Sequence, residues 1–188
     1  MENMAQASEF ARVLGRIQSL VSSNEKILVL IDGPAGAGKT TLASEIEKAF
    51  NSVNVVHMDD LYNGWEKPLT IELYKRIQTQ VVNPHLKSVE SSFSVFNWIT
   101  NSFDSIKTLV PKQMLVIEGV GSASKELRGS ADLVIFIEVN PEVGIERVLN
   151  RDGKNMTSQM LEWQSMETKH FETDQTKRAA DILVNGSF

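Results

Sequence analysis

The sequence predicts an α/β fold of three layers: a mainly parallel five-stranded sheet with helices on both faces. Three observations carry this. Short apolar runs recur without polar alternation, as in strands buried on both faces. Helical patterns separate these runs, so strand and helix alternate along the chain. The length of 188 residues suits one domain with a sizeable core.

The elements follow in order. Residues 8–22 place Phe10, Val13, Leu14, Ile17, Leu20 and Val21 at helical spacing, which gives an amphipathic helix. The first strand is KILVLI (26–31). VNVVHM (53–58), MLVIEG (114–119) and DLVIFIEV (132–139) resemble it, and DILVN (181–185) is a weaker fifth. Helical patterns fill 39–50, 70–82, about 122–129, 142–151 and 156–177. Pro141 fits the first turn of its helix. In the last and longest helix Trp163, Met166, His170 and Phe171 read as a packing face. There is no repeat, low-complexity tract or linker-like stretch. Sheets of this class bind ligands beyond the carboxyl ends of their strands, so the residues there matter most.

Composition narrows the function. A net charge of −5 disfavours a nucleic-acid partner that needs a broad basic face. With no cysteine, disulfides and thiolate metal sites are excluded. No apolar run approaches the roughly 20 residues of a membrane span. The N-terminal MENMAQASEF has an acid where a signal peptide wants a base. A cytoplasmic protein without a membrane partner is the expectation, with homo-oligomerisation left open.

After the first strand comes GPAGAGKTT (33–41), in which Gly33, Gly38, Lys39 and Thr40 fit G-x-x-x-x-G-K-[ST]. The glycines let the backbone curl so that successive N–H groups face phosphate oxygens. The helix that follows adds its positive N-terminal end. Lys39 supplies a point charge to the outer phosphates, and the Thr40 hydroxyl can ligate Mg²⁺. The contact set for ATP is therefore Gly33, Ala35, Gly36, Ala37, Gly38, Lys39, Thr40 and Thr41. Strand before and helix after are the context the motif demands, so the predicted fold is that of a P-loop NTPase. The strand MLVIEG then delivers Glu118 at its carboxyl end, where such proteins hold Mg²⁺ directly or through water. The competing reading of Glu118 is a carboxylate that caps the loop after it.

The reaction follows by comparison of motifs. Neither an N-K-x-D-like guanine reader nor a D-x-x-G switch occurs, and Glu118 is followed by glycine rather than a second acid. This favours a small-molecule kinase, which needs a group to align the acceptor hydroxyl and take its proton. In VNVVHMDDLYNGW (53–65), two aspartates end a β-branched run and aromatics follow. Seven of the thirteen aromatics lie between Tyr62 and Phe103: Tyr62, Trp65, Tyr74, Phe93, Phe96, Trp98 and Phe103. They read either as a stacking pocket for a ring-shaped acceptor or as the core of a small subregion. The rival function is a module that hydrolyses or senses ATP for a partner protein, which would need neither the pocket nor Asp59.

The order GPAGAGKTT, HMDDLY, FNW, VIEGV, ERVLNRDG, RAADILV resembles the uridine kinase-like branch of P-loop kinases, over most of residues 27–185. The resemblance is closest to its compact bacterial members. It implies that Asp59, in MDDLY, is the catalytic base and that Tyr62 contacts the acceptor. FNW falls where the family grips a nucleoside base with a Tyr-Asp-Phe-like string, which adds Phe96 and Trp98 to the acceptor contacts, with Trp65 beside them. Here Asn97 takes the place of the acid, and ITNSF (99–103) lacks the expected histidine. Arg147 and Arg151, four apart on one helical face, stand at the family's lid, where arginines neutralise the transferring phosphoryl group. The catalytic set is then Asp59, Lys39, Arg147 and Arg151. Asp60 reads as a cap or turn residue, and His57 as a packed histidine. The expected organisation is one P-loop kinase domain over 1–188, with an acceptor subregion at about 60–105 and a short lid at about 147–156. The expected acceptor is a uridine- or cytidine-like nucleoside.

Overall fold

The computed structural model describes residues 2–66 and 68–186, with side chains from Ala7 onward. Helix α1 (Glu2–Ser23) leads into strand β1 (Ile27–Asp32), and the phosphate-loop motif then opens helix α2 (Lys39–Ala49). Strand β2 (Val53–His57) runs into a single 3₁₀ turn, Met58–Asp60. Helices α3 (Ile71–Ile77) and α4 (Asn83–Leu86) precede an antiparallel hairpin of β3 (Ser91–Asn97) and β4 (Ser102–Leu109). Then come β5 (Met114–Glu118), α5 (Lys125–Arg128), β6 (Leu133–Glu138), α6 (Pro141–Asp152), α7 (Thr157–Asp174), α8 (Thr176–Ala179) and β7 (Ile182–Asn185).

The main sheet has the order β2-β5-β1-β6-β7, and every pair in it is parallel. β1 and β5 are buried along their whole length. Alternate residues of β1 enter separate cores. Leu28 and Leu30 join Leu73, Ile77, Val148 and Met160 on one face. Ile27, Val29 and Ile31 join Val13, Ile17, Leu42 and Ile46 on the other. This two-sided burial is why the strands read as unbroken apolar runs. It confirms the expected five-stranded α/β fold with helices on both faces. Among the described residues no helix is long and apolar enough to cross a membrane.

Register places the chemistry. Glu118, the last residue of β5, is paired with His57 on β2 and with Ile31 on β1. The carboxyl ends of three neighbouring strands therefore bring His57, Glu118 and Asp32 to one edge.

Four elements differ from the sequence reading. The helix expected over 70–82 is α3, a wider π turn at Gln78–Val82, and α4. Pro84 lies at the start of α4, directly after the π turn. The helix expected near 122–129 shrinks to α5, because Ser122 and Ser124 are taken up by turns from Gly119 and Gly121. The helix expected over 156–177 ends at Gln175, whose φ of 52° is left-handed, and restarts as α8. The β3–β4 hairpin has no counterpart among the five apolar runs. Its signal is local: Ser91, Phe93 and Phe96 are buried, while Ser92 and Ser94 are exposed. A bulge between Val95 and Phe96 interrupts that alternation.

Candidate active site

A cavity of about 920 Å³ lies over the carboxyl edge of the sheet. Its floor is the phosphate loop: Ala35, Gly36, Ala37, Gly38, Lys39, Thr40 and Thr41 all line it. Gly33 does not; it makes the turn out of β1 with φ 139°, and a Cβ there would sit 2.2 Å from the Ile137 carbonyl oxygen. The Lys39 ammonium folds back over the loop, donating to the carbonyls of Gly33 at 2.8 Å and Pro34 at 2.7 Å. Lys39 and Thr40 open α2, so the helix's unpaired N–H groups face the same space.

At the strand ends the Thr40 hydroxyl donates to Glu118 Oε1 at 2.9 Å. A hydroxyl and a buried carboxylate thus converge on one point, a donor set of hard oxygens. Mg²⁺ is commonly held by one or two such protein oxygens together with substrate phosphates. Among the described residues no group of three or more His, Asp or Glu could cage a metal by itself. Thr40 and Glu118 therefore fit a Mg²⁺ that arrives with its nucleotide.

His57 is not the packed histidine the sequence suggests. Its side chain is about a third exposed, and Nδ1 lies 2.6 Å from Glu118 Oε1. That hydrogen bond, followed by the carboxylate's charge, raises the imidazole pKa. Asp32, which sequence reasoning passed over, is fully buried at the end of β1. Its carboxylate accepts from the amides of Gly33 at 2.8 Å, Gly121 at 3.0 Å and Ala123 at 2.9 Å. It ties the start of the phosphate loop to the turn after Glu118. Burial pushes its pKa up despite these bonds. The signal was present in the sequence as an acid just before the glycine motif.

Asp59 lies in the 3₁₀ turn and lines the cavity, whereas Asp60 turns toward Lys107, with 3.6 Å between carboxylate and ammonium. The two side chains diverge through this tight turn, in keeping with the reading of Asp60 as a turn residue. Protein crowds Asp59 on most sides, and this burial raises its pKa. The charge of Glu118 adds to the rise, while Lys39 and Arg151 oppose it. The residue nevertheless remains exposed on its cavity side.

Aromatic rings line the same cavity as Asp59. The Trp98 indole N–H donates to the Asp59 carbonyl at 3.0 Å. The buried Tyr62 hydroxyl donates to the Val120 carbonyl at 2.6 Å. Trp65 meets Trp98 edge-on at 5.1 Å between ring centres, and Tyr62 meets Trp163 at 5.2 Å. Tyr62, Trp65, Trp98 and Trp163 all line the cavity. Phe96 does not. It is buried beneath, 5.1 Å from Trp98 and 5.2 Å from Phe103, and supports the wall instead of forming it. Trp163, expected only in a packing face, is on the wall as well as in the core.

Arg147 and Arg151 both reach the cavity from α6. Arg147 donates to the carbonyls of Gly186 at 2.6 Å and Gly36 at 3.3 Å, joining the phosphate loop to the segment after β7. Arg151 pairs with Asp152 at 2.7 Å. Phe10, Ile137 and Val184 line the cavity from the core on the other face of the sheet. Phe10 comes from α1, which Arg12 fastens to β7 through a 2.6 Å bond to the Leu183 carbonyl. One further carboxyl stands behind the loop. Glu167 of α7 is 3% exposed and accepts from the Ala35 amide at 3.0 Å. Its pKa is raised to about 7, chiefly by burial.

Taken together, the loop, the strand-end carboxylate and the parallel sheet define a P-loop nucleotide-binding domain. The family model for an AAA domain matches residues 29–175, and the chain belongs to that family. Its resemblance to uridine kinases also holds over most of its length. It is 26% identical to a uridine kinase of Chlamydia pneumoniae, with 86% of this chain and 82% of the relative aligned. It is 27% identical to a uridine kinase of Clostridium tetani, over 86% of this chain and 88% of the relative. A possible uridine kinase from Bacillus stearothermophilus has the same fold, with a TM-score of 0.72 over 98% of this chain and all of that one, at 22% identity.

Proposed function

We propose that the protein transfers a phosphoryl group from ATP, with Mg²⁺, to a hydroxyl of a small molecule, with a uridine- or cytidine-like nucleoside as the favoured acceptor. The observation that carries this is Asp59, which lines one cavity together with the phosphate loop and the rings of Tyr62, Trp65, Trp98 and Trp163. A module that only bound or hydrolysed ATP would need neither the carboxylate nor the rings. The aligned relatives named uridine kinase support the nucleoside.

The chain's residues divide the work. Loop amides and Lys39 hold the phosphates, where positioning and charge neutralisation do most of the catalysis. Thr40 and Glu118 would hold Mg²⁺ brought in with the phosphates, and that ion would supply further neutralisation of the transferring group. Asp59 orients the acceptor hydroxyl and takes its proton on a carboxylate oxygen. Arg147 and Arg151 reach the cavity from the lid side as fixed cations. The acceptor ring is gripped by Tyr62, Trp65, Trp98 and Trp163. Asn97 does not read it, because its carbonyl accepts from the amides of Ile99 and Thr100 and its amide donates to Asp104, all within the hairpin turn.

The test is ADP release with Mg·ATP across nucleosides and small alcohols. Release that depends on uridine or cytidine is expected. Release that proceeds equally without any acceptor would overturn the kinase reading in favour of an ATPase working for a partner.

A further inference from the structure

Ala35 is gripped from two sides. Its carbonyl rests against α6, where a Cβ on Gly144 would lie 2.6 Å from the Ala35 oxygen. Gly36 presses on the same spot: a Cβ there would meet the Gly144 carbonyl at 2.2 Å. On the other side the Ala35 amide donates to Glu167 of α7. The helices that hold Ala35 are the two that flank the lid segment Gly153–Met156.

Glu167 is in an unusual position for a carboxyl. It is buried, it is 132 residues from its partner in sequence, and its other neighbour is the Trp163 indole N–H one turn earlier on α7. Lys39 is close enough to act on it through charge, and so is Asp32. A buried carboxyl persists only where its bonds offset the cost of desolvation. Here the bonds run to the phosphate loop and to the acceptor wall. Gln159, Met160 and Trp163, on the same helix, line the cavity.

We propose that Glu167 is a positioning residue for the phosphate loop, holding the Ala35 amide in place from the helix that also walls the acceptor half of the cavity. The proposal takes the loop as the nucleotide site, as the function above does. A displacement of α7, whether by a ring entering against Trp163 or by movement of the lid, pulls on Ala35 through this bond. The phosphate and acceptor halves thus share one mechanical link of a single side chain.

The test uses the full chain as wild type, Glu167→Ala and Glu167→Gln. Glutamine keeps an oxygen that can accept from Ala35; alanine keeps nothing. Hydrogen exchange of the Ala35 amide is followed by NMR without nucleotide, and Mg·ATP affinity by calorimetry. A hydrogen bond to such a buried group is worth roughly tenfold to a hundredfold in an equilibrium. Exchange at Ala35 should speed up by about that factor in Glu167→Ala, and ATP affinity should fall about tenfold. Glu167→Gln should stay within about threefold of wild type in both. Unchanged exchange in Glu167→Ala overturns the proposal, and so does faster exchange with unaltered ATP affinity. Equal acceleration at the β1 amides of Val29–Ile31 also overturns it, since that would show general loosening. If wild type does not bind Mg·ATP, the function above fails, while the exchange comparison still decides whether Glu167 holds the loop.

Discussion

The two halves of the cavity in the proposed function, one for phosphate and one for acceptor, are built by different means. The phosphate half is one contiguous stretch, residues 35–41, and most of what it offers is backbone. The acceptor half is side chains drawn from separate segments: Asp59, Tyr62 and Trp65 after β2, Trp98 from the hairpin, Trp163 from α7. Backbone amides point where the local turn sends them, so the first half needs only its own sequence and the helix behind it. The second half exists only if the hairpin, the 3₁₀ turn and α7 all arrive at the same place. One half is thus a local property of the chain and the other a property of the fold. Damage to the first should strike nucleotide binding, and damage to the second should strike the acceptor.

Asp59→Asn gives the widest separation. Acceptor-dependent ADP release should fall by roughly two to four decades, the usual worth of a general base, with ATP affinity nearly intact. Asp60→Asn should cost far less, because its carboxylate faces Lys107. Equal losses in the two variants, or a loss of ATP affinity in Asp59→Asn, would erase the division between the halves.

Lys39→Ala attacks the other side. Its ammonium is the loop's side-chain cation and donates to the Gly33 and Pro34 carbonyls. Turnover should drop by about two to three decades, as when a preorganised donor to developing charge is removed. ATP affinity should fall with it, and retained binding by calorimetry would count against the loop as phosphate holder.

Glu167 tests the joint between the halves through pH. Its pKa is raised from 4.5 to about 7 in the folded chain. Between those values the folded state binds more protons than the unfolded one, so stability declines as pH rises through the window. Relative to Glu167→Gln, wild type should lose up to about 3 kcal/mol between pH 4.5 and pH 8. Urea midpoints at several pH values measure this, and parallel curves would mean that Glu167 titrates normally.

The smallest effect is expected at Trp98. Its ring meets Tyr62, Trp65 and Phe96 edge-on, and such pairs are worth about 0.5–1.5 kcal/mol each. Trp98→Ala should raise the acceptor KM roughly tenfold and leave the KM for ATP unchanged. An equal rise in both would show that the two halves are not independent.

Residue order by itself determined the strands of the main sheet, the phosphate loop and the carboxylate that faces it. Unbroken apolar runs are the mark of strands buried on both faces, and GPAGAGKT encodes its geometry locally through glycine and the helix that follows. Glu118 was legible because a strand's last residue must stand at the ligand edge. Tertiary structure decided the rest. The β3–β4 hairpin was hidden because its alternation is short, serine-rich and broken by a bulge at Val95/Phe96. Phe96 and Trp98 look alike in sequence, yet Phe96 is buried within β3 while Trp98 stands in the turn after it and lines the cavity. His57 was read as packed because nothing local shows that parallel register sets it beside Glu118. Glu167 carries no motif at all: its partner lies 132 residues away, and only the packing of α7 against the phosphate loop makes that pair a neighbour.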